Sequence, residues 1–271
     1  MEQHGVPSPG TRGDAGPVLG LAALDAGMLA LVGGKAANLG ELLSAGLPVP
    51  EGFCLTTDAY WQVVGAPDPV LPALAEVYAA LQAAARATGH SPAFKEPDLL
   101  DGLAGTARAA ILAAPLPAAV SEAVKQAYAA MGPSVPVAVR SSATAEDLPF
   151  ASFAGQQDTY LNVVGAEAVL EAVRNCWASL WTDRATAYRA SLGIDPAGVA
   201  LAVVVQRMVD ADTAGVMFTA NPLTGRRRQI VIDAAPGLGE AVVSGAVNPD
   251  HFVVDGVTGK VVEQRLGGKG R

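Results

Sequence analysis

The chain has 271 residues, 51% of them hydrophobic, enough to bury a sizeable core in one large domain or two small lobes. Its formal charge of −8 argues against a nucleic-acid binder, which needs a basic face. Gly, Pro or a charged residue interrupts every apolar run before it reaches membrane-spanning length.

Residues 1–17 are rich in Gly, Pro and charge and hold no apolar signal core, so a disordered tail and a cytoplasmic location are expected. Leu29-Ala30-Leu31-Val32 is a short apolar strand candidate. Gly33-Gly34 then turns the chain, and Lys35 opens a helix to about Ser44 with a stripe of Leu39, Leu42 and Leu43. Gly46 ends that helix, and Pro48 and Pro50 stop its continuation. Lys35 therefore falls near a helix N-terminus beside a glycine turn, a place that favours an anion. The Walker A spacing is absent, and on spacing alone a solvated lysine is the simpler reading.

Phe53-Cys54-Leu55-Thr56 reads as a strand. The two cysteines, Cys54 and Cys176, are far apart in apolar surroundings and read as buried free thiols. From Pro69 to Met131 the composition is Ala-rich and helical, with apolar faces such as Leu99, Leu103 and Ile111, or Val120, Val124 and Tyr128 after Pro117. This region reads as scaffold, and His90 within it as a solvated loop residue.

The run from Val137 to Asn162 is the most informative. A short strand, Val137-Ala138-Val139, is expected to deliver Arg140, Ser141 and Ser142 into a loop. Thr144, Glu146 and Asp147 follow, and a small-residue turn, Ala151 to Gly155, leads to Gln156, Gln157 and Thr159. Small residues let backbone N–H groups approach an anion, and an Arg adds a planar, permanently charged fork. Phosphate recognition suits such a run; a polar surface loop with an incidental Arg suits it equally.

Ala166 to Trp181 makes an amphipathic helix, with Val169, Val173, Trp177 and Trp181 spaced by four. Its tryptophans read as core. Asp183, Arg184 and Arg189 beyond it read as surface ion-pair residues. A lobe boundary is expected near Gly193–Gly198, a Gly/Pro/Asp stretch. Val199 to Val205 reads as a strand buried on both faces, with Gln206 at its end. Gly215 to Thr219 and Gln229 to Ala234 read as strands around an Asn221–Gly225 turn, with Arg226, Arg227 and Arg228 at a solvated tip. Gly237-Leu238-Gly239-Glu240 opens a short helix. His251–Asp255 and Lys260–Glu263 pair as a hairpin, and residues 267–271 form a tail. Strands punctuate helices without strict βαβ alternation, so the fold class is α+β.

Several of these motifs, in this order, resemble the nucleotide-binding segment of the phosphoenolpyruvate-utilising dikinases: phosphoenolpyruvate synthase, pyruvate phosphate dikinase and rifampicin phosphotransferase. The resemblance runs from about Leu31 to Val254. Its anchors are Gly33-Gly34-Lys35, the Arg140 run, Cys176 to Trp181, Val205 to Met208 and Gly237 to Glu240. It implies an ATP-grasp-type fold of two lobes over residues 18–266, with a helical insertion in the first lobe. It implies that Lys35 and Arg140 are catalytic, neutralising phosphate charge, that Gly155 and Thr159 lie in a loop covering the phosphates, and that Gln206 contacts the nucleotide.

Glu146 and Asp147 are read as loop-ordering groups, not metal ligands. ATP is the implied cofactor, with Mg2+ held by ligands expected outside this chain. The family cleaves ATP to AMP and phosphate while a histidine on a separate domain carries a phosphoryl group to pyruvate or rifampicin. His4, His90 and His251 lack the Thr-Ser-His setting of that carrier. The carrier and acceptor domains are therefore expected on another chain or a further segment. A nucleotide-binding module without independent turnover is the alternative, and a structural domain without ligand a third reading. Gly245 to Asp250 leans toward the synthase.

Overall fold

The structure is a computed structural model that describes residues 16–64, 97–144, 159–183, 185–186 and 199–268. Contacts divide the chain into two compact units, one ending at Met208 and one beginning at Val209. Helices and antiparallel sheets occur together, so the α+β class holds. The expected boundary stretch 193–198 lies outside the described residues.

The first unit is built on a sheet of order β1-β2-β5-β3-β4. Its strands are β1 (Val18–Gly20), β2 (Gly52–Leu55), β3 (Val137–Ala143), β4 (Thr159–Val163) and β5 (Leu201–Arg207), and every neighbouring pair is antiparallel. Side chains alternate between the two sides of such a sheet, so each face has its own composition. One face carries Phe53, Leu55, Val137, Val139, Val203 and Val205 into the main core. The other carries Cys54, Ala202 and Val204 into a smaller core with Leu21, Leu24, Val32, Ala36 and Ala37.

The smaller core is covered by α1 (Leu29–Ser44), which packs on β3 and β5. Leu29 to Val32 is thus helical rather than the strand its apolar run predicts. Four consecutive apolar residues carry no period, and the neighbourhood decides: Thr57 Oγ1 donates to the Ala30 carbonyl at 3.1 Å. The helix breaks at Gly33, whose φ of 72° and ψ of 171° are not helical, so the predicted glycine turn before Lys35 is present inside α1. At the other end Gly46 has φ 76°, with Gly46 N donating to Leu43 O and Leu47 N to Leu42 O. That pairing satisfies the last carbonyls of the helix, the stop expected of Gly46.

The main core is closed by α2 (Thr57–Val64), α3 (Pro97–Ala113), α4 (Ala118–Ala130) and α5 (Ala166–Ser179). The start of the Ala-rich region, residues 69–96, lies outside the described residues, His90 among them. Trp177 and Trp181 are both fully buried. Trp177 Nε1 donates to Leu201 O at 3.1 Å, and its ring meets Tyr60 edge-on with centroids 6.2 Å apart. The tryptophans are core, as the spacing indicates. Asp183 pairs with Arg108 at 3.0 Å, while Arg184 and Arg189 lie outside the described residues.

Two strand limits differ from expectation. β3 continues through Ala143, so Arg140, Ser141 and Ser142 are strand residues, not loop residues. Polarity suggests a strand end at Val139, but the hydroxyl of Ser142 finds partners inside the protein. Gln206 is the penultimate residue of β5, which runs on to Arg207; Arg207 is held there by the Glu51 carboxylate and donates to Met131 O at 2.6 Å.

The second unit is a four-stranded antiparallel meander of β6 (Thr213–Phe218), β7 (Gln229–Pro236), β8 (Asp250–Asp255) and β9 (Val261–Arg265). Asn221 Oδ1 accepts from Leu223 N and Thr224 N and shapes the β6–β7 turn, leaving Arg226, Arg227 and Arg228 exposed. The short α6 (Glu240–Val243) follows Gly237, as expected of the glycine turn. Asp255 Oδ1 accepts from Val257 N, Thr258 N and Thr258 Oγ1 in the β8–β9 turn. No single helix among the described residues is long and apolar enough to cross a membrane.

Candidate functional site

The candidate residues are best followed along β3. Ala138, Arg140 and Ser142 alternate with Val137, Val139 and Ser141, so they face away from the main core, toward the α1 side. Residues paired directly across antiparallel strands share a face. Arg140 pairs with Thr159 on β4 and with Val204 on β5. Ala138 pairs with Gln206, which also pairs with Gly52 on β2. The register therefore gathers Arg140, Thr159 and Gln206 on one face of one sheet, the face on which α1 packs.

Lys35 belongs to that same helix. It stands half-buried just past the Gly33 break, one residue before Ala36. The Gly33 α-carbon lies so close to β3 that a Cβ there would stand 2.2 Å from the Ser142 carbonyl oxygen. Only glycine fits that approach, and its positive φ compounds the demand. Lys35 is thus carried against the strand that holds Arg140.

Two half-buried arginines of the first unit have no carboxylate partner among the described residues: Arg174 on α5, whose buried Nε meets no hydrogen-bond partner, and Arg140, which stands on the α1 side of the sheet. Arg108 and Arg207 of the same unit are each paired with a carboxylate, Asp183 and Glu51. Arg140 is half-buried, and among the described residues its side chain makes no hydrogen bond or ion pair. Removing a guanidinium from water without a counter-charge is unfavourable, and a bound anion is the natural compensation.

The remaining candidates are placed differently. Thr159 is exposed at the start of β4. Gln206 is buried, and its Nε2 donates to Pro50 O at 3.1 Å, so it also serves a backbone carbonyl. Gly155, Glu146 and Asp147 lie outside the described residues. On this same face Cys54 is wholly buried, and burial pushes its thiol well above the ordinary range, so it acts as a neutral packing group. Among the described residues no group of three or more His, Cys, Asp and Glu could hold a metal ion.

Ser142, expected in a loop, is instead a strand residue of this face that joins β3 to α1. The signal available was the spacing of two from Ala138 through Arg140, which puts Ser142 on the same side.

The family model described as "Pyruvate phosphate dikinase, AMP/ATP-binding domain" matches residues 29–271. The chain belongs to this AMP/ATP-binding domain family. Among its relatives, phosphoenolpyruvate synthase of Pyrococcus furiosus is 45% identical over 264 residues, covering 88% of this chain and 32% of that protein. A rifampicin phosphotransferase of a Streptomyces species is 48% identical over 258 residues, covering 94% of this chain and 28% of that protein. That of Bacillus subtilis is 44% identical over 253 residues. The chain thus spans about a third of the length of the curated relatives it matches.

Proposed function

We propose that this chain is the ATP-binding part of a dikinase-type phosphotransferase and that the α1 face of its first sheet receives the nucleotide phosphates. The observation that supports this most is the register Arg140–Thr159 beside an Arg140 that has no counter-charge among the described residues. In this reading Arg140 forms paired, charge-assisted hydrogen bonds to phosphate oxygens, and Lys35 adds a compact positive charge beside them. Both lower the energy of the transition state by meeting charge as it develops on the transferred group. Thr159 and Gly155 cover the phosphates, and Gln206 contacts the nucleotide from the same sheet.

The architecture is of ATP-grasp type. Magnesium accompanies the nucleotide, and no described residue is assigned to it. The whole protein cleaves ATP to AMP and phosphate, and a histidine outside the described sites carries a phosphoryl group to the acceptor. Pyruvate and rifampicin are the proposed acceptors, in line with relatives named phosphoenolpyruvate synthase and rifampicin phosphotransferase.

Calorimetry with ATP, a non-hydrolysable ATP analogue and AMP, each with and without magnesium, tests this reading. ATP and its analogue should bind more tightly than AMP, because Lys35 and Arg140 act on phosphates that AMP lacks. Equal affinity for ATP and AMP, or no binding of either, would remove it.

A further inference from the structure

We propose that Ser142 is a positioning residue that holds Lys35 in place for the nucleotide phosphates, an inference that rests on the phosphate-binding reading above. In an uninterrupted α-helix the N–H of Ala36 would donate to the carbonyl of Val32, four residues back. In α1 that link is opened at Gly33, and the Ser142 side chain occupies it. Ala36 N donates to Ser142 Oγ at 3.1 Å, and Ser142 Oγ donates to Val32 O at 2.8 Å. The hydroxyl is an acceptor and a donor at once, and it closes the interval Val32–Ala36 in place of the missing helical bond.

Lys35 lies inside that interval. Ser142 and Ala36 are fully buried, so water does not replace the hydroxyl there. The Gly33 α-carbon rests on the Ser142 carbonyl, which fixes the approach from the other side. Ser142 is also two residues from Arg140 on the same face of β3, so one rigid strand sets both the guanidinium and the lysine turn. Strand rise sets Arg140 and Ser142 roughly 6–7 Å apart along β3.

A hydroxyl that only satisfied two buried backbone groups would affect stability and every ligand alike. A hydroxyl that positions Lys35 affects phosphate-dependent binding, and only through Lys35. The test is a double-mutant cycle read by calorimetry with ATP and adenosine, using wild type, Ser142→Ala, Lys35→Ala and the double variant. Ser142→Ala should weaken ATP about tenfold while leaving adenosine unchanged, and it should weaken ATP no further once Lys35 is already Ala. Equal loss of ATP affinity in both backgrounds, or equal losses for ATP and adenosine, would overturn the role while leaving the phosphate site standing. Lys35→Ala that binds ATP like the wild type would take Lys35 out of the phosphate site and overturn this inference, while Arg140 would still test the site itself. If Ser142→Ala fails to unfold cooperatively in urea, Ser142→Cys takes its place in the cycle. Its thiol is somewhat bulkier and a weaker donor and acceptor, and the same two outcomes decide.

Discussion

Arg140 on β3 stands directly opposite Thr159 on β4. Eighteen residues, Gly155 among them, lie between the two in sequence, yet the register gives them one face. A strand pair of this kind fixes side chains more firmly than a polar loop would, because the ladder on both sides of β3 sets the backbone. The backbone that carries the guanidinium is fixed before an anion binds, so only side-chain freedom is lost on binding.

Lys35 is expected to act on the phosphates that distinguish ATP from adenosine. Lys35→Ala should weaken ATP by about 1.5–3 kcal/mol, roughly 10- to 150-fold in Kd, and adenosine hardly at all. Calorimetric titration of both ligands checks this. Equal changes would put Lys35 on solvated surface away from the phosphates.

Trp177 is expected to matter for stability and not for nucleotide binding. Its ring is fully buried against Tyr60 and its Nε1 meets the Leu201 carbonyl. Trp177→Ala should cost about 3–5 kcal/mol in urea unfolding. Trp177→Phe should cost about 1–3 kcal/mol, because the Leu201 carbonyl loses its donor, and should leave ATP affinity as it is. A selective loss of nucleotide affinity in the Phe variant would make the ring part of the binding surface.

Asp255 gives a pH-dependent prediction. Hydrogen bonds from Thr258 N, Thr258 Oγ1 and Val257 N hold its carboxyl below its ordinary value of 3.8, with Arg228 adding a smaller favourable charge. A carboxyl depressed in the folded state contributes stability above its unfolded value and loses it as pH falls through the folded one. The β8–β9 turn should therefore be fully formed above about pH 4 and loosen below it. Amide-exchange protection at Val257 and Thr258, taken relative to the intrinsic exchange rate at each pH, follows this, and Asp255→Ala should remove the pH-dependent step in protection. Exchange rates at these amides with the same pH profile in both proteins would contradict it.

Much of the fold was legible because its signals were periodic. The four-residue spacing of Val169, Val173 and Trp177 marks α5, and the continuous apolar run before Gln206 marks β5. Glycines at 46, 225 and 237 stand where a positive φ is used. What was not legible depended on partners far away in sequence. Leu29 to Val32 has no period of its own, and its carbonyls are met by Thr57 and Ser142. Arg140 to Ser142 looks like a loop because polar residues in a strand need tertiary partners, and those of Ser142 lie more than a hundred residues away, at Val32 and Ala36. The candidate site divides the same way: residue types suggested Lys35, Arg140, Thr159 and Gln206, but only strand register brings the last three to one face.

The central claim is that the α1 face of the first sheet binds phosphate through Arg140. It is tested most directly by titrating ATP and adenosine into wild type, Arg140→Ala and Arg140→Lys under identical salt. Arg140→Ala should lose about 3 kcal/mol, roughly 150-fold in ATP affinity, with adenosine binding and the urea midpoint unchanged. Arg140→Lys should recover only part of the loss, since an ammonium lacks the paired donors of the guanidinium. ATP affinity in Arg140→Ala equal to that of the wild type would contradict the account.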